Sequence, residues 1–493
     1  MNRRMVGYLL GQLMLVELLV LIPPMFISMY CGEWHAVRAF LYTILLVAAG
    51  GLALLRLKPQ NKAIYSAEGF VVTALGWVLL SFFGGLPFFF SGAITNPFDC
   101  FFEIVSGFTT TGASILSDVE VLPKGILFWR SFTHWLGGMG VLVFLLAVAP
   151  GHKSGEGHDL YLMRAESPGP AVDKLTSKIR QSAKILYAIY IGMSVLETVL
   201  LLAGGMPLFD SLCNMFGTAG TGGFSIKNAS MAAYPSFYLQ GVVTVFMALF
   251  GVNFTIFYLL LIREFSQALH DEELRCYLGI MLGSIALITI NVLPHYKTWF
   301  EALHHAAFQV SSVMTTTGYA TTDFNAWPQL SKTILVLLMI LGASAGSTGG
   351  GIKSARIVIL FKSVRKEIRR MLHPRAVQTV QMNGKPLEDR IIKGVNVFMA
   401  VYFCVMGVSF LLVSLDDFDM ITNLTAVLSC LNNIGPGLEL VGPTGNFGHF
   451  SNFSKLVLTA DMLLGRLEIF PMLLLFSPTA WKCRRDIRCR KRA

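Results

Sequence analysis

Ten long apolar runs constrain the fold of this chain more than any other feature. A helix needs about 20 predominantly apolar residues to cross a bilayer. Runs of that kind lie near residues 7–30, 37–55, 68–92, 125–149, 185–206, 237–262, 277–294, 329–360, 392–415 and 455–478. Only 14% of the 493 residues are charged, whereas a soluble domain carries about 25% charged residues. The sequence therefore predicts an all-α polytopic membrane protein.

The Lys and Arg residues predict the orientation of these crossings. They cluster at the N-terminus, in alternate loops and in the stretches 362–375 and 482–492. Because short basic loops stay in the cytoplasm, ten crossings put all of these clusters on that side, with both termini. The net charge of +10 has this explanation, and no nucleic-acid partner is expected. The first run lacks a small-residue cleavage site and is expected to stay as a membrane helix.

The opposite loops contain a pattern that occurs four times. Each loop has an aromatic–acidic pair, then a short apolar stretch, then a polar segment with glycine. The pairs are Phe98-Asp99, Phe209-Asp210, Phe300-Glu301 and Phe418-Asp419, and the segments are SGFTTTGAS (106–114), TAGTGGFS (218–225), SVMTTTGYA (312–320) and CLNNIGPG (430–437). The Phe-to-Gly separations are 14, 14, 18 and 17 residues, so the last two half-helices are expected to be about one turn longer.

Each apolar stretch is too short to span the bilayer, and the segment after it is too polar to face lipid. Non-helical backbone at membrane depth is tolerated only where protein buries it or water fills a cavity. A half-helix entering from outside would point its partly negative carbonyl end towards the bilayer centre. Asn96 before Pro97 suits the cap and first turn of the first half-helix. One Thr-Thr-Gly run would be read as a turn, but four glycine-containing polar segments at corresponding places indicate a shared structure.

The order of helix, half-helix with polar segment, and helix, repeated four times after two leading helices, resembles the Trk/Ktr/HKT superfamily of potassium transporters. The bacterial TrkH branch is the most similar. The motifs that carry the resemblance are SGFTTTGAS, MTTTGYATTDF, GASAGSTGGGIK, LNNIGPG and GRLEIFP (465–471). The resemblance implies a single-chain pore in which four pseudo-symmetric repeats replace the four subunits of a potassium channel.

The resemblance also implies an ion-selective filter for K⁺. In this superfamily a serine at the first filter glycine accompanies sodium permeation, and Gly112 here favours potassium. Carbonyl oxygens can replace the water shell of K⁺, and glycine permits the required backbone. The expected filter residues are Thr110, Thr111, Gly112, Thr221, Gly222, Gly223, Thr316, Thr317, Gly318, Asn433, Ile434 and Gly435.

The stretch LGASAGSTGGGIKSAR (341–356) interrupts the eighth apolar run. It is not a phosphate-binding loop, because such a loop places its lysine directly after the second glycine, within a soluble strand–loop–helix unit. So many small residues are expected to break the helix inside a protein-lined cavity. A tight small-residue helix contact is the alternative. By resemblance, residues 342–352 form an intramembrane gating loop. The expected gate residues are Gly346, Ser347, Thr348, Gly349, Gly350, Gly351, Lys353 and Arg466.

Arg466 is costly inside a membrane and should face a partner or the pore. The resemblance suggests an electrostatic barrier or latch below the filter. The alternative is a structural ion pair with Glu468 or Glu197. Arg130 and His134, four residues apart on one helix face, are expected to meet interfacial water at most, and His304 and His305 are also given no site role.

Other functions stay open at this point. The cluster Asp416, Asp417 and Asp419 could hold Mg²⁺ against a lipid diphosphate in a membrane enzyme. An alternating-access cation symporter is the other alternative, although repeats of one orientation favour a pore. The acidic outer loops either raise the local cation concentration or are ordinary solvated charges. No enzymatic activity is expected from the resemblance, and the scattered cysteines have no metal-ligand spacing.

The predicted organisation is two leading helices (1–66) and four repeats (67–160, 161–272, 273–376 and 377–493). The basic stretches could bind anionic lipids at about 1 kcal/mol per charge. The resemblance further implies a homodimer in the bacterial cytoplasmic membrane and a cytosolic nucleotide-binding TrkA-type subunit. Any nucleotide would then act only through that partner.

Overall fold

The computed structural model describes residues 1–59, 66–140, 179–375 and 378–481, and these segments are almost entirely helical. Several sequence expectations fall outside them: the end of the run 125–149, the boundaries at 160 and 376, and the basic tail 482–492. The leading segment contains α1 (Arg3–Val20), α2 (Ile22–Tyr30) and α3 (Trp34–Leu55).

The first two repeats follow. Repeat 1 contains α4 (Ser66–Gly84), α5 (Leu86–Phe90), α6 (Pro97–Phe108) and α7 (Lys124–Gly138). Repeat 2 contains α8 (Ile179–Ala203), α9 (Leu208–Gly220), a 3₁₀ turn (Ser230–Ala233), α10 (Phe237–Phe250), α11 (Phe254–Leu261) and α12 (Phe265–His270).

The last two repeats are joined by a hairpin. Repeat 3 contains α13 (Glu272–Val292), a 3₁₀ turn (Leu293–His295), α14 (Trp299–Met314), a second turn (Phe324–Ala326), α15 (Gln329–Leu341) and α16 (Ser354–Leu372). The antiparallel hairpin pairs β1 (Gln381–Met382) with β2 (Lys385–Pro386). Repeat 4 contains α17 (Asp389–Val413), a 3₁₀ turn (Ser414–Asp416), α18 (Met420–Leu431), a second turn (Glu439–Val441), α19 (Asn452–Arg466), α20 (Phe470–Leu475) and α21 (Pro478–Trp481).

Six described helices are long and apolar enough to cross a membrane, and a bent pair adds a seventh. That pair, α10 and α11, is bent by 94°. The crossings expected over 237–262 and 455–478 are not single continuous helices, since both runs are broken. The first breaks at Gly251–Asn253, where Asn253 caps α11, and the second at Glu468 and Ile469, whose φ angles are +52° and +69°. The break expected in the run 329–360 is confirmed.

Four half-helices, α6, α9, α14 and α18, lie where the sequence predicts them. Asn96 caps α6 by accepting a hydrogen bond from the Phe98 amide at 3.0 Å, as expected from the Asn-Pro pair. The helices contain 12, 13, 16 and 12 residues. The extra turn expected for the fourth is therefore wrong. Asp419 caps α18 after Phe418, so that helix starts later than its aromatic residue suggests.

The half-helices form the centre of the packing. Their carbonyl-end halves are buried on all sides, as in α6, where every residue from Phe102 to Phe108 is buried. The largest apolar cluster joins α6, α9 and α18 to α7 and α19. Burial by protein on every side is what allows non-helical backbone to follow each half-helix at this depth.

Candidate functional site

The segments after the four half-helices share one backbone conformation. In each, the residue two before the glycine is left-handed, which is uncommon for a residue with a side chain. The φ angles are +56°, +53°, +59° and +56° at Thr110, Thr221, Thr316 and Asn433, and +80°, +73°, +85° and +101° at Gly112, Gly223, Gly318 and Gly435. We call the segments 110–112, 221–223, 316–318 and 433–435 the filter strands 1 to 4.

Each filter strand is held by its own half-helix. The amide before the glycine returns to a carbonyl near the helix end in every repeat. The bonds are Thr111 to Ser106 (2.9 Å), Gly222 to Gly217 (2.8 Å), Thr317 to Ser312 (2.8 Å) and Ile434 to Ser429 (2.9 Å). The same local bond in all four repeats explains why the three different strand sequences, Thr-Thr-Gly, Thr-Gly-Gly and Asn-Ile-Gly, adopt one conformation.

The filter strands form a closed ring. A Cβ atom built on Gly112 would collide with the carbonyl oxygen of Gly222, and one on Gly223 with that of Thr317. The series continues from Gly318 to the carbonyl of Ile434, and from Gly435 to that of Thr111 at 2.9 Å. Every repeat thus contacts the next one and the fourth contacts the first, so the predicted filter residues lie around one axis.

One cavity of about 180 Å³ opens beside all four glycines. Residues that follow the glycines along the chain, among them Ser114, Ser225 and Ala320, also line it. The predicted topology puts this end of the strands outside, and we call it the outer side. A ring of backbone carbonyls beside an open vestibule can exchange the water shell of a cation for backbone oxygens.

The predicted gating loop is non-helical. α15 ends at Leu341 and α16 begins at Ser354, and Gly342, Gly346, Gly351 and Lys353 have positive φ angles. The alternative of a continuous small-residue helix contact is therefore wrong. A backbone of this kind at membrane depth requires hydrogen-bond partners from the surrounding protein.

The loop contacts filter strands 3 and 4. The Gly350 amide donates to Oγ1 of Thr316 at 2.6 Å. A Cβ on Gly349 would lie 2.8 Å from the carbonyl oxygen of Thr315, and one on Gly350 would collide with that of Asn432. Thr315 and Asn432 join the half-helices to the strands, so the loop lies against the ring at the end opposite the outer cavity.

Two basic side chains fix the loop. Lys353 is buried and its ammonium group donates to the Gly349 carbonyl. Arg466 donates to the Thr348 carbonyl at 3.1 Å and to the carbonyls of Gly137 and Gly138, the latter at 2.8 Å. Arg466 therefore links the loop of repeat 3 to the end of α7 in repeat 1.

Among the described ion pairs, Glu468 pairs with Arg356, and none joins Arg466 to Glu468 or Glu197. Carbonyl oxygens stabilise the Arg466 cation here.

Glu273 contacts the predicted gating loop, and the sequence did not predict this contact. Its carboxylate accepts hydrogen bonds from the amides of Ala345 (2.5 Å) and Ala355 (3.2 Å), at the two ends of the loop. Glu273 is only 4% exposed. A charged residue at the start of an apolar run is typical of an ordinary helix end. The only sequence feature that could have indicated a contact was the position of Glu273 beside Asp271 and Glu272.

The four residues given no role have different surroundings. Arg130 and His134 are both buried, so the expected contact with interfacial water is wrong. Arg130 pairs with Glu103, and the His134 ring lies 4.2 Å from the Phe224 ring. His304 bonds to Gln240 (2.7 Å) and His305 to Thr321 (2.9 Å).

Many outer acidic residues are already engaged with neighbours. Three of them pair with basic side chains, namely Asp99 with Lys455, Glu103 with Arg130 and Glu120 with Lys227. Hydrogen bonds from the Asn228 side chain and the Glu120 amide lower the pKa of Asp118. These loops are therefore more organised than freely solvated charges.

The Asp416 cluster is engaged in local structure. Asp416 accepts from the Ser451 amide at 2.7 Å, and Asp419 caps α18 through Thr422. In the described residues, no group of three or more His, Cys, Asp or Glu side chains could hold a metal ion.

The chain is similar to known transport proteins over nearly its whole length. Residues 35–482 match the family model TrkH, described as a cation transport protein. The Trk system potassium uptake protein TrkH of Salmonella typhimurium is 36% identical over 488 residues, which are 98% of this chain and 100% of that protein. The TrkG protein of Escherichia coli is 33% identical over 489 residues, covering 97% of this chain and 99% of that protein.

A solved structure has the same fold. The crystal structure of the potassium transporter TrkH from Vibrio parahaemolyticus superposes with a TM-score of 0.86 at 31% identity, covering 98% of this chain and 100% of that one. The family model, the relatives and the shared fold together establish that this chain belongs to the TrkH family of cation transport proteins.

Proposed function

We propose that the chain takes up potassium through a gated, K⁺-selective pore. The observation that carries the proposal is the ring of four filter strands, in which the glycine of each repeat meets a carbonyl oxygen of the next. The curated relatives described above are named potassium uptake proteins, which agrees with this assignment.

The proposed ion ligands are backbone carbonyls of the filter strands. Thr111, Gly222, Thr317 and Ile434 each direct a carbonyl oxygen towards a neighbouring glycine. The residues before them, Thr110, Thr221, Thr316 and Asn433, complete the proposed set. By the resemblance described above, glycine at position 112 supports K⁺ over Na⁺; a serine there would also insert a side chain between strands 1 and 2.

The loop 342–352 is the proposed gate. It lies against strands 3 and 4, and Arg466 and Lys353 place positive charge on its carbonyls. A cation leaving the filter on this side would meet both backbone and an arginine. Low dielectric surroundings strengthen that repulsion, so the described conformation is the closed one in this proposal.

The proposed setting is the bacterial cytoplasmic membrane, with both termini in the cytoplasm. The alternation of basic and acidic loops supports this orientation. The relatives' names contain "Trk system", and we infer a cytosolic TrkA-type nucleotide-binding partner on the basic side. We also propose that the chain forms a homodimer and that anionic lipid binds the stretch 362–375. The repeat boundaries given in the sequence analysis are part of the same proposal.

The other functions are less well supported. A lipid-diphosphate enzyme would need the carboxylates of Asp416 and Asp419, and both accept hydrogen bonds from backbone amides. An alternating-access symporter does not require four carbonyl strands around one axis. The ring favours a pore over a symporter. The family description, a cation transport protein, agrees with transport and not with a lipid-diphosphate enzyme.

Cation flux in proteoliposomes tests the proposal. The wild type should carry K⁺ and Rb⁺ in preference to Na⁺ and Li⁺, and Gly112→Ser should lose that preference because its side chain meets the Gly222 carbonyl. Gly92→Ser is the matched control, since Gly92 has a similar φ of +72° with no atom within 4 Å of a built Cβ. A silent wild type that stays silent after the loop is shortened would refute the pore.

A further inference from the structure

A buried ion pair lies beside the outer side of the filter. Glu103 of α6 and Arg130 of α7 have 0% and 3% exposed side chains, and their Oε1 and Nε atoms are 2.6 Å apart. Removing two charges from water is favourable only when further hydrogen bonds satisfy both groups. The other partners of the pair therefore show what it holds in place.

Glu103 holds filter strand 1 from behind. Its carboxylate accepts hydrogen bonds from the Ser114 hydroxyl at 3.0 and 3.2 Å and from the Ile115 amide at 3.0 Å. Ser114 and Ile115 follow Gly112 by two and three residues. The carboxylate thus fixes the chain directly where strand 1 ends.

Arg130 holds filter strand 2 in the same way. Its Nη1 atom donates to the Ser225 carbonyl at 2.9 Å, and its guanidinium carbon lies 3.5 Å from the centre of the Phe224 ring. Phe224 and Ser225 directly follow Gly223. Since hydrogen bonds to charged groups are stronger than neutral ones, the pair is a charged bridge between strands 1 and 2.

Strands 3 and 4 are held by neutral groups. The Tyr319 carbonyl accepts from the Ser312 hydroxyl at 2.6 Å, and the Gly435 carbonyl accepts from the Ser429 hydroxyl. The described ion pairs contain no counterpart of the Glu103–Arg130 bridge at these two strands. The ring is therefore braced asymmetrically.

We propose that Glu103 and Arg130 are positioning residues for selectivity, which set the separation of filter strands 1 and 2 and so the preference for K⁺ over Na⁺. This inference rests on the proposed potassium pore. Discrimination between the two ions depends on the number and spacing of carbonyl oxygens. Loss of the bridge would let strand 1 move away from strand 2, and a looser ring would admit Na⁺.

Relative K⁺ and Na⁺ flux in proteoliposomes tests the inference. Glu103→Gln keeps the shape and one acceptor but removes the charge, and we expect the K⁺/Na⁺ flux ratio to fall about tenfold, as for the loss of a buried charge-assisted bond. Arg130→Lys keeps the charge but loses the planar fork that reaches Ser225, and a smaller fall is expected. Glu120→Gln, which breaks the half-exposed pair with Lys227, is the control and should keep the wild-type ratio.

The outcomes separate this inference from the proposed function. A wild type without K⁺ preference would refute the function, and the inference with it. A selective wild type with unchanged ratios in both Glu103→Gln and Arg130→Lys would show that the pair is only structural, even if thermal stability falls. If Glu103→Gln does not fold, Arg130→Lys decides, because it retains the buried charge: an unchanged ratio overturns the inference.

Discussion

The filter strands and the gating loop are both short, glycine-containing, non-helical segments at membrane depth, but they are stabilised differently. Each filter strand returns its amide to its own half-helix, as Thr111 does to Ser106. The loop has internal bonds, such as that from the Ala343 amide to the Gly350 carbonyl at 3.4 Å, but it also depends on other elements. The Ser344 amide donates to the Gly251 carbonyl at 3.0 Å and the Thr348 amide to that of Phe250 at 3.4 Å, both at the end of α10.

This difference predicts that the filter strands are rigid and that the loop is mobile. The local amide bond preserves the backbone conformation of each strand when other helices move. A loop whose bonds come from α10, α13 and filter strand 3 has to rearrange when any of these elements shifts, and such segments have low local stability. The filter is thus suited to fixed ion ligands, and the loop to a gate with two positions.

The largest expected effect follows from removing the loop contacts while leaving the filter intact. Deletion of Gly349–Gly351 removes the contacts with Thr316 and Asn432 and the carbonyl that Lys353 binds. We expect K⁺ flux to rise more than about tenfold, which corresponds to about 1.4 kcal/mol removed from the barrier. Flux in proteoliposomes measures it.

The selectivity of the same deletion variant is the internal control. Because the amide before each filter glycine bonds within its own repeat, we expect the K⁺/Na⁺ ratio to stay at the wild-type value. A deletion that raises flux but abolishes discrimination would show that the loop also shapes the filter, and would remove the contrast between the two regions.

A substitution inside the ring is expected to lower K⁺ flux, whereas the loop deletion raises it. The size of the change should be somewhat smaller. A Cβ at Gly318 would meet the Ile434 carbonyl and lie 2.8 Å from Cδ of Pro436. The left-handed backbone at Gly318 costs roughly 1–2 kcal/mol for an L residue. We expect Gly318→Ala to lower K⁺ flux about tenfold, measured in the same assay.

The control for Gly318→Ala separates contact from conformation. Gly384, in the hairpin turn, has a similar φ of +74°, but a Cβ there has no atom within 4 Å. Gly384→Ala should lower thermal stability slightly and leave flux unchanged. Equal losses of flux in the two variants would mean that the ring contact is not what matters.

The sequence predicted the backbone of the filter strands more completely than the contacts of the loop, and the reason is the range of the contacts. Four occurrences of one pattern identify strands whose amide bonds are local, so the corresponding positions of Thr110 and Gly112 could be predicted from the sequence alone. The small residues of 342–352 predicted the break in the helix. They did not predict its partners, because Glu273 lies 72 residues from Ala345 along the chain.

Two further misses have the same origin. The sequence did not predict a partner for Glu103, although a carboxylate in the mostly apolar second half of PFDCFFEIVSGF was a signal of a buried partner. Arg130, 27 residues away, was expected to meet interfacial water. Pairs between helices become visible only when the packing is known, whereas caps such as Asn96 depend on adjacent residues.

The smallest expected effect concerns Glu273, the contact at both ends of the loop. Glu273→Gln keeps one carbonyl acceptor but loses the charge that strengthens the bonds to the Ala345 and Ala355 amides. A charge-assisted bond is roughly twice as strong as a neutral one, so we expect about a threefold rise in K⁺ flux, with the K⁺/Na⁺ ratio unchanged. Glu272→Gln, which removes only the part-exposed pair with Lys362, is the adjacent control. A rise of equal size in both variants would attribute the effect to α13 as a whole, whereas a rise in Glu273→Gln alone would establish that the loop is held closed through bonds supplied by another helix.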